Sequence, residues 1–226
     1  GDNMSGISKI MQKREDSRAP ADRATNKEVW FKDGDQVFVT PIATGEENDT
    51  NLDEIYMYTF KNSDSRWTNR LQDENIDTSD VPSNIRPSHK FAFWGYVHEI
   101  IHGEKKNDAW EEVAGPGGRK FFKELVNDFR VIAISFGRSD YVWNQLVDIY
   151  NDWGSLNKGV IRIKRAGVGM YDTSYTLTGT ARSSEVPEEF VAKQSELPSI
   201  KGYFVERYGN TPSTNGKVSL DKEELF

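Results

Sequence analysis

The sequence predicts a mainly β protein of the α+β class, an antiparallel barrel with one helix between strands, an acidic insertion and flexible tails. Three observations carry that expectation. Residues 129–177 read in order as strand, helix, strand, glycine turn and strand. Residues 90–102 form an aromatic run with apolar side chains at both parities. The charges are segregated, acidic over 44–84 and basic over 158–182.

Taken in order, residues 1–28 read as a flexible arm. They hold no aromatic and alternate in sign through Lys9, Lys13, Arg14, Glu15, Asp16, Arg18, Asp22 and Arg23. Ile7, Ile10 and Met11 stand at helical spacing before Pro20. Such an arm is expected to dock on a neighbouring subunit or on nucleic acid, or to stay disordered. The ordered domain is expected over 29–182. Trp30 and Phe31, the Asp33-Gly34-Asp35 turn and residues 37–41 predict strand, turn, strand.

An acidic insertion follows over about 44–87. Between Thr44 and Asn84, Glu46, Glu47, Asp49, Asp53, Glu54, Asp64, Asp73, Glu74, Asp77 and Asp80 oppose only Lys61, Arg66 and Arg70. Residues 55–60 alternate like a strand, and Trp67 stands between the two arginines. A polar stretch of this length is not expected to be bare loop in a compact domain. It predicts an inserted hairpin, or a lid carrying Trp67.

In K-F-A-F-W-G-Y-V-H-E-I-I-H, residues 90–102, Phe91, Phe93, Val97 and Ile101 share one parity and Trp94, Tyr96, His98 and Ile100 the other. Strand side chains alternate between faces. The pattern predicts a strand with core behind and stacking rings in front, and a strand buried on both faces gives the same pattern. Gly95 is predicted to mark a bulge or strong curvature. Residues 110–113 and 119–126 predict further short elements around the glycine loop 114–118.

Residues 130–136 are apolar and β-branched, predicting a strand that Gly137 closes. Ser139 is the predicted N-cap of a helix, with Asp140 in its first turn. Val142, Leu146 and Ile149, with Trp143, Val147 and Tyr150 alongside, predict an apolar helix side that runs to about Trp153-Gly154. In 160–164, Ile161 and Ile163 point to the core, while Arg162 and Lys164 face water. Gly167 and Gly169 allow a tight turn into a strand over 171–177. Residues 183–208 read as a helical extension, with one helix over 187–193 opened by Pro187 and a second over 200–208. Residues 209–226 read as a linker and an acidic tail ending D-K-E-E-L-F.

The absence of cysteine excludes disulfides and thiolate-bound zinc. No apolar run approaches the ~20 residues of a membrane span, and nothing at the start resembles a signal peptide. A soluble, cytoplasmic protein with no membrane partner is expected. The net charge of −7 argues against indiscriminate polyanion binding. Over 158–182, however, Lys158, Arg162, Lys164, Arg165 and Arg182 oppose Asp172 alone. One basic face on an acidic protein still attracts a polyanion locally. An ordinary solvated sheet has the same charge pattern.

The run I-R-I-K-R-A-G-V-G-M-Y-D-T-S-Y-T-L resembles the C-terminal half of a family of bacteriophage single-stranded DNA-binding proteins with an OB-type barrel. F-G-R-S-D-Y-V-W-N-Q-L-V-D-I-Y is similar to that family's interstrand helix, and the resemblance covers about 91–177. It implies an OB-type fold and sequence-independent binding of single-stranded DNA in phage replication, recombination and repair, inside an infected bacterial host. No catalysis and no cofactor is expected. Some family members carry a cysteine-ligated zinc ribbon, which this chain lacks.

A basic groove for phosphates and rings for bases is the physical mechanism of such binding. Arg162, Lys164, Arg165, Lys158 and Lys90 are the expected phosphate contacts. Trp94, Tyr96, Tyr175 and Trp67 are the expected stacking rings, with Phe93 ranked below them. Expected partners are single-stranded DNA, other copies along it, and replication or repair proteins recruited by Leu225 and Phe226. An OB-like module for protein or RNA is an alternative.

A second alternative comes from His98-Glu99-Ile100-Ile101-His102, which spells the H-E-x-x-H of zinc metallopeptidases. Glu124 is the candidate third ligand, with Asp128 beside it. That chemistry needs a helix, whereas the β-branched and aromatic approach predicts a strand. On a strand the two histidines share a face about 13 Å apart, too far for one zinc at ~2 Å from each. No phosphate loop and no nucleophile elbow is present.

Overall fold

The structure is a computed structural model that describes residues 26–169 and 171–209. Most of the expected N-terminal arm, and the linker and acidic tail from 210 on, lie outside the described residues. The described chain is mainly antiparallel β with a few helices, of the α+β class. Its strands are β1 (Gln36–Pro41), β2 (Leu52–Lys61), β3 (Trp67–Leu71), β4 (Ser88–His102), β5 (Glu111–Ala114), β6 (Lys120–Ser135), β7 (Gly159–Ala166) and β8 (Ser174–Ser183). Its α-helices are α1 (Tyr141–Trp153), α2 (Glu188–Lys193) and α3 (Ile200–Tyr208). The described residues fall into two compact units, one of Lys27–Ile55 with His89–Lys201, the other of Asn26, Tyr56–Ser88 and 202–209.

In the larger unit the strand order is β5-β6-β4-β1-β7-β8, every neighbouring pair antiparallel. Alternation delivers one apolar face: Val37 and Val39, Phe91, Phe93, Val97 and Ile100, Ile132 and Ile134, Ile161 and Ile163, and Leu177. Helix α1 closes over that face with Val142, Leu146 and Ile149. Each such side chain, fully buried, contributes about 1.5–3 kcal/mol. The free edge of β8 is also covered at its start, over Tyr175 to Leu177. Gln145 on α1 donates to the Tyr175 carbonyl at 3.1 Å and accepts from the Leu177 amide at 3.0 Å, and the Tyr141 hydroxyl accepts from the Tyr175 amide at 3.1 Å. Over that stretch the edge offers no template for pairing with another chain.

The register slips where β1, β4 and β6 run side by side. Phe38 pairs with Glu99 and Val39 with Val97, which leaves His98 as an extra residue on β4. Val97 pairs with Asp128 and Glu99 with Leu125, which adds a further residue on β6. Along that line β1 therefore contributes two residues, β4 three and β6 four. Asn127 takes part with a left-handed φ of 47°. One slip moves every later side chain to the other face. Ile100, not the expected Ile101, consequently joins the core.

The slip also separates the two β4 histidines, which had been expected to share a face. His98 lies on the outer side, while His102 follows Ile100 on the inner side. Gly95 marks close approach rather than the bulge itself. A Cβ there would lie 2.3 Å from Val39 Cγ2.

Other boundaries differ from expectation. Trp30 and Phe31 form no strand; a parallel bridge of Glu28 to Val131 precedes them. The two stretches expected at 119–126 and 130–136 are one long strand, β6. Ser139 does not cap α1. A 3-10 turn (Arg138–Asp140) leads into the helix, with Asp140 left-handed at φ 58° and no side-chain cap. Gly154, at φ 78°, ends α1 as expected. The strand expected at 171–177 begins at Ser174, because Tyr171 and Asp172 stand in a turn before it. Pro187 stands just before α2 rather than inside it.

In the smaller unit β2 and β3 pair as a hairpin from Met57–Leu71 to Lys61–Trp67. Met57, Phe60, Leu71, Ile76, Tyr203, Phe204 and Tyr208 are its buried apolar residues. The hairpin expected within the acidic insertion is therefore present. Arg70 is bound there to Asp80 at 2.7 Å.

Candidate nucleic-acid interface

Strand β7 sends Ile161, Ile163 and Arg165 inward, and Arg162 and Lys164 outward to solvent. Phe38 and Thr178 flank Arg162 on the neighbouring strands, and Gln36 and Thr176 flank Lys164. This is the wet basic face that alternation predicts. Lys158 is exposed in the 3-10 turn (Leu156–Lys158) just before β7.

Two residues assigned to this face belong elsewhere. Arg165 and Tyr175 pair with each other on the inner side of the sheet. Arg165 is 7% exposed, and its Nη1 donates to the Phe31 carbonyl at 2.5 Å. Tyr175 meets Phe31 edge to face at 5.5 Å, and burial pushes its phenol pKa up. Backbone bonds complete the clasp, from Gly34 to the Arg165 carbonyl and from Arg165 to the Asp35 carbonyl. Arg165 thus anchors the approach to β1 and is not free for phosphate. Lys90 is half-buried, and loss of solvent lowers its pKa. Phe93 is wholly buried in the core.

A ring not singled out in the sequence stands on the same hairpin. Tyr171 is 98% exposed in the turn between β7 and β8. Asp172 organises that turn by accepting from the Gly169 amide at 2.7 Å. The glycines bounding the turn were the available signal, because a ring at the tip of a short hairpin has no core to reach.

Trp94 and Tyr96 do lie on the outer side of β4, but each is only 2% exposed. The extension after β8 covers them. Trp94 Nε1 donates to the Pro198 carbonyl at 2.9 Å, and Phe190 of α2 packs on Tyr96 at 5.0 Å and on Phe129 at 5.3 Å. Beside this cover is a cleft of about 620 Å³, lined by Tyr96, His98, Asn127, Arg182, Glu185 and Phe190 among others. Burial, then the nearby charges of Asp128 and Glu189, raise the Tyr96 pKa. His98 Nε2 shares a hydrogen bond with Thr40 Oγ1 at 2.8 Å, and burial and Arg182 lower its pKa.

Glu99 holds two cations, Lys123 at 3.0 Å and Arg182 by a short hydrogen bond. Burial raises the Glu99 pKa, but the bonds from Arg182 and Lys123 outweigh it and hold the carboxyl below its ordinary value. His102 has different neighbours, Glu124 at 2.6 Å and Asp35 at 3.7 Å. The H-E-x-x-H residues therefore serve three separate contacts along a strand. Among the described residues no group of three or more His, Cys, Asp or Glu side chains is placed to hold a metal ion.

Trp67 lies in the smaller unit, where Lys61 Nζ sits 5.5 Å over its ring. No described helix is long and apolar enough to cross a membrane. The chain matches no family model, no curated protein and no solved structure.

Proposed function

We propose that this protein binds single-stranded DNA without sequence preference, in replication, recombination or repair, through the outer face of β1, β7 and β8. The observation that carries the reading is the outward, exposed pair Arg162 and Lys164, flanked by Thr178 and Thr176 on β8 and by Phe38 and Gln36 on β1. Two residues apart on a strand, they stand about 6.6 Å from each other, a spacing that an extended sugar-phosphate chain can follow. Tyr171 at the hairpin tip supplies a solvent-facing ring for a base, and Lys158 a further cation. The larger unit is read as an OB-type barrel variant, supported by one long helix set between strands of an antiparallel sheet.

The test is anisotropy of a labelled oligothymidylate over a salt series. Arg162→Ala and Lys164→Ala each weaken binding and flatten the slope of log affinity against log salt by about 0.7. Tyr171→Ala costs ~1–3 kcal/mol with the slope kept. No binding at low salt, or a preference for duplex, rejects the reading.

A further inference from the structure

We infer that the cleft between the outer side of β4 and the extension after β8 takes one unstacked nucleobase of the bound strand, an assignment that rests on the DNA reading above. The cleft's size falls within the range of small-ligand pockets, about 300–1,000 Å³. Its accessible ring is the half-buried Phe190, with the buried Tyr96 packed behind it, and its hydrogen-bonding groups are of both kinds. Asn127 and Arg182 donate; Glu185 and Glu189 accept.

Two carboxylates make the cleft a poor phosphate site, while donors and acceptors beside a ring suit a neutral heterocycle with a polar edge. Flipped and single-stranded bases are held in that manner, by stacking and by edge hydrogen bonds.

The cleft is also continuous with the basic face. Arg162 pairs across the sheet with Phe38. Arg182 lies over the Phe38 ring at 5.8 Å, and Arg182 itself lines the cleft. A backbone following Lys164, Arg162 and Arg182 therefore arrives at the cleft mouth. Both residues that mark the register slip, His98 and Asn127, line the same cleft. Bulges often re-aim side chains beside binding sites.

The experiment compares wild type with Asn127→Gly and Phe190→Ala on two ligands, an oligothymidylate and an abasic oligomer of equal length. Asn127 is left-handed, so glycine keeps the backbone and removes only the amide. Asn127→Gly is expected to weaken oligothymidylate binding about five-fold. Phe190→Ala is expected to weaken it roughly 5- to 150-fold. Neither is expected to change the abasic oligomer's affinity. An iodouracil-substituted strand should crosslink to Phe190 in the wild-type protein.

If Phe190→Ala does not fold, Asn127→Gly and the crosslink decide. Undiminished oligothymidylate binding by Asn127→Gly, with crosslinks elsewhere and Arg162 still required, overturns the cleft assignment and leaves the DNA reading standing. Equal weakening of both oligomers by Asn127→Gly overturns it as well, since the amide would then serve the backbone. Failure of the wild type to bind any single strand removes both readings.

Discussion

His102 lies flat on Trp110, the ring planes 4° apart and the centroids 3.8 Å apart. Burial alone lowers the pKa of this imidazole, but Asp35 and Glu124 outweigh it and bring the value to about 9. At neutral pH the ring is therefore a cation stacked on an indole. A histidine with a raised folded pKa stabilises the fold fully below its unfolded value of about 6.5. That contribution declines as pH rises from there through about 9. The shift corresponds to about 3 kcal/mol, an upper figure because Glu124 is partly exposed. Urea unfolding from pH 6 to 10 should show the decline, and His102→Gln should flatten it. An imidazole NMR titration near pH 6 for His102 would refute the assignment.

Gly95→Ala should destabilise the protein by about 1–3 kcal/mol. Its new Cβ would meet the fully buried Val39 at 2.3 Å, and a β-branched side chain in a packed core has no other rotamer to retreat to. Val39→Ala also destabilises by opening a cavity. The double variant should lose less than the sum of the two, and a double-mutant cycle in urea measures that coupling. Strict additivity would mean that the contact does not govern the site.

Arg162→Ala and Arg165→Ala should have different phenotypes although they lie on one strand. Arg162→Ala should leave the unfolding free energy within about 0.5 kcal/mol of wild type and alter DNA affinity. Arg165→Ala removes a buried guanidinium from the Phe31 carbonyl and should cost about 1.5–3 kcal/mol. Thermal unfolding and anisotropy on the same two proteins separate the effects. Equal stability loss in both would contradict the inward placement of Arg165.

Glu99→Gln should lower stability by about 1–2 kcal/mol at pH 7, since it leaves Lys123 and Arg182 sharing a neutral amide. The figure is at the modest end because both cations are partly exposed. A depressed carboxylate pKa contributes stability above the unfolded value, and that contribution is lost as pH falls through the folded one. The difference between variant and wild type should therefore shrink on acidification below about pH 4.5. Unfolding midpoints across that range check it.

What the sequence disclosed was local. The i, i+4, i+7 set of Val142, Leu146 and Ile149 needs only one helix to be recognised, and all three are buried where the spacing puts them. The alternation of Ile161, Arg162, Ile163 and Lys164 is equally self-contained. Carrying the same alternation one residue further sends Arg165 inward. What hid this was a preference for arginine in water, and the Phe31 carbonyl that satisfies it lies 134 residues away in sequence. The outer rings of β4 were placed on the correct side. Their cover was invisible because Phe190 and Pro198 come from a polar extension with no periodicity pointing at β4. The slip at His98 is set by pairing with two other strands, and no property of 90–102 alone locates it.

That slip makes curvature a matter of counting. Strands lying side by side behave like lanes of a track, and here the lanes from β1 through β4 to β6 use two, three and four residues for the same stretch. Each added residue lengthens a lane by about 3.3 Å, so the strands cannot run as straight rails and the track must bend. Removing one residue from any lane would alter the bend rather than shorten a loop, and would turn inner side chains outward beyond it. Insertions and deletions that surface turns absorb should be rejected at 97–99 and 125–128. In this stretch of sheet, residue number is as strict a requirement as apolar character is in the core.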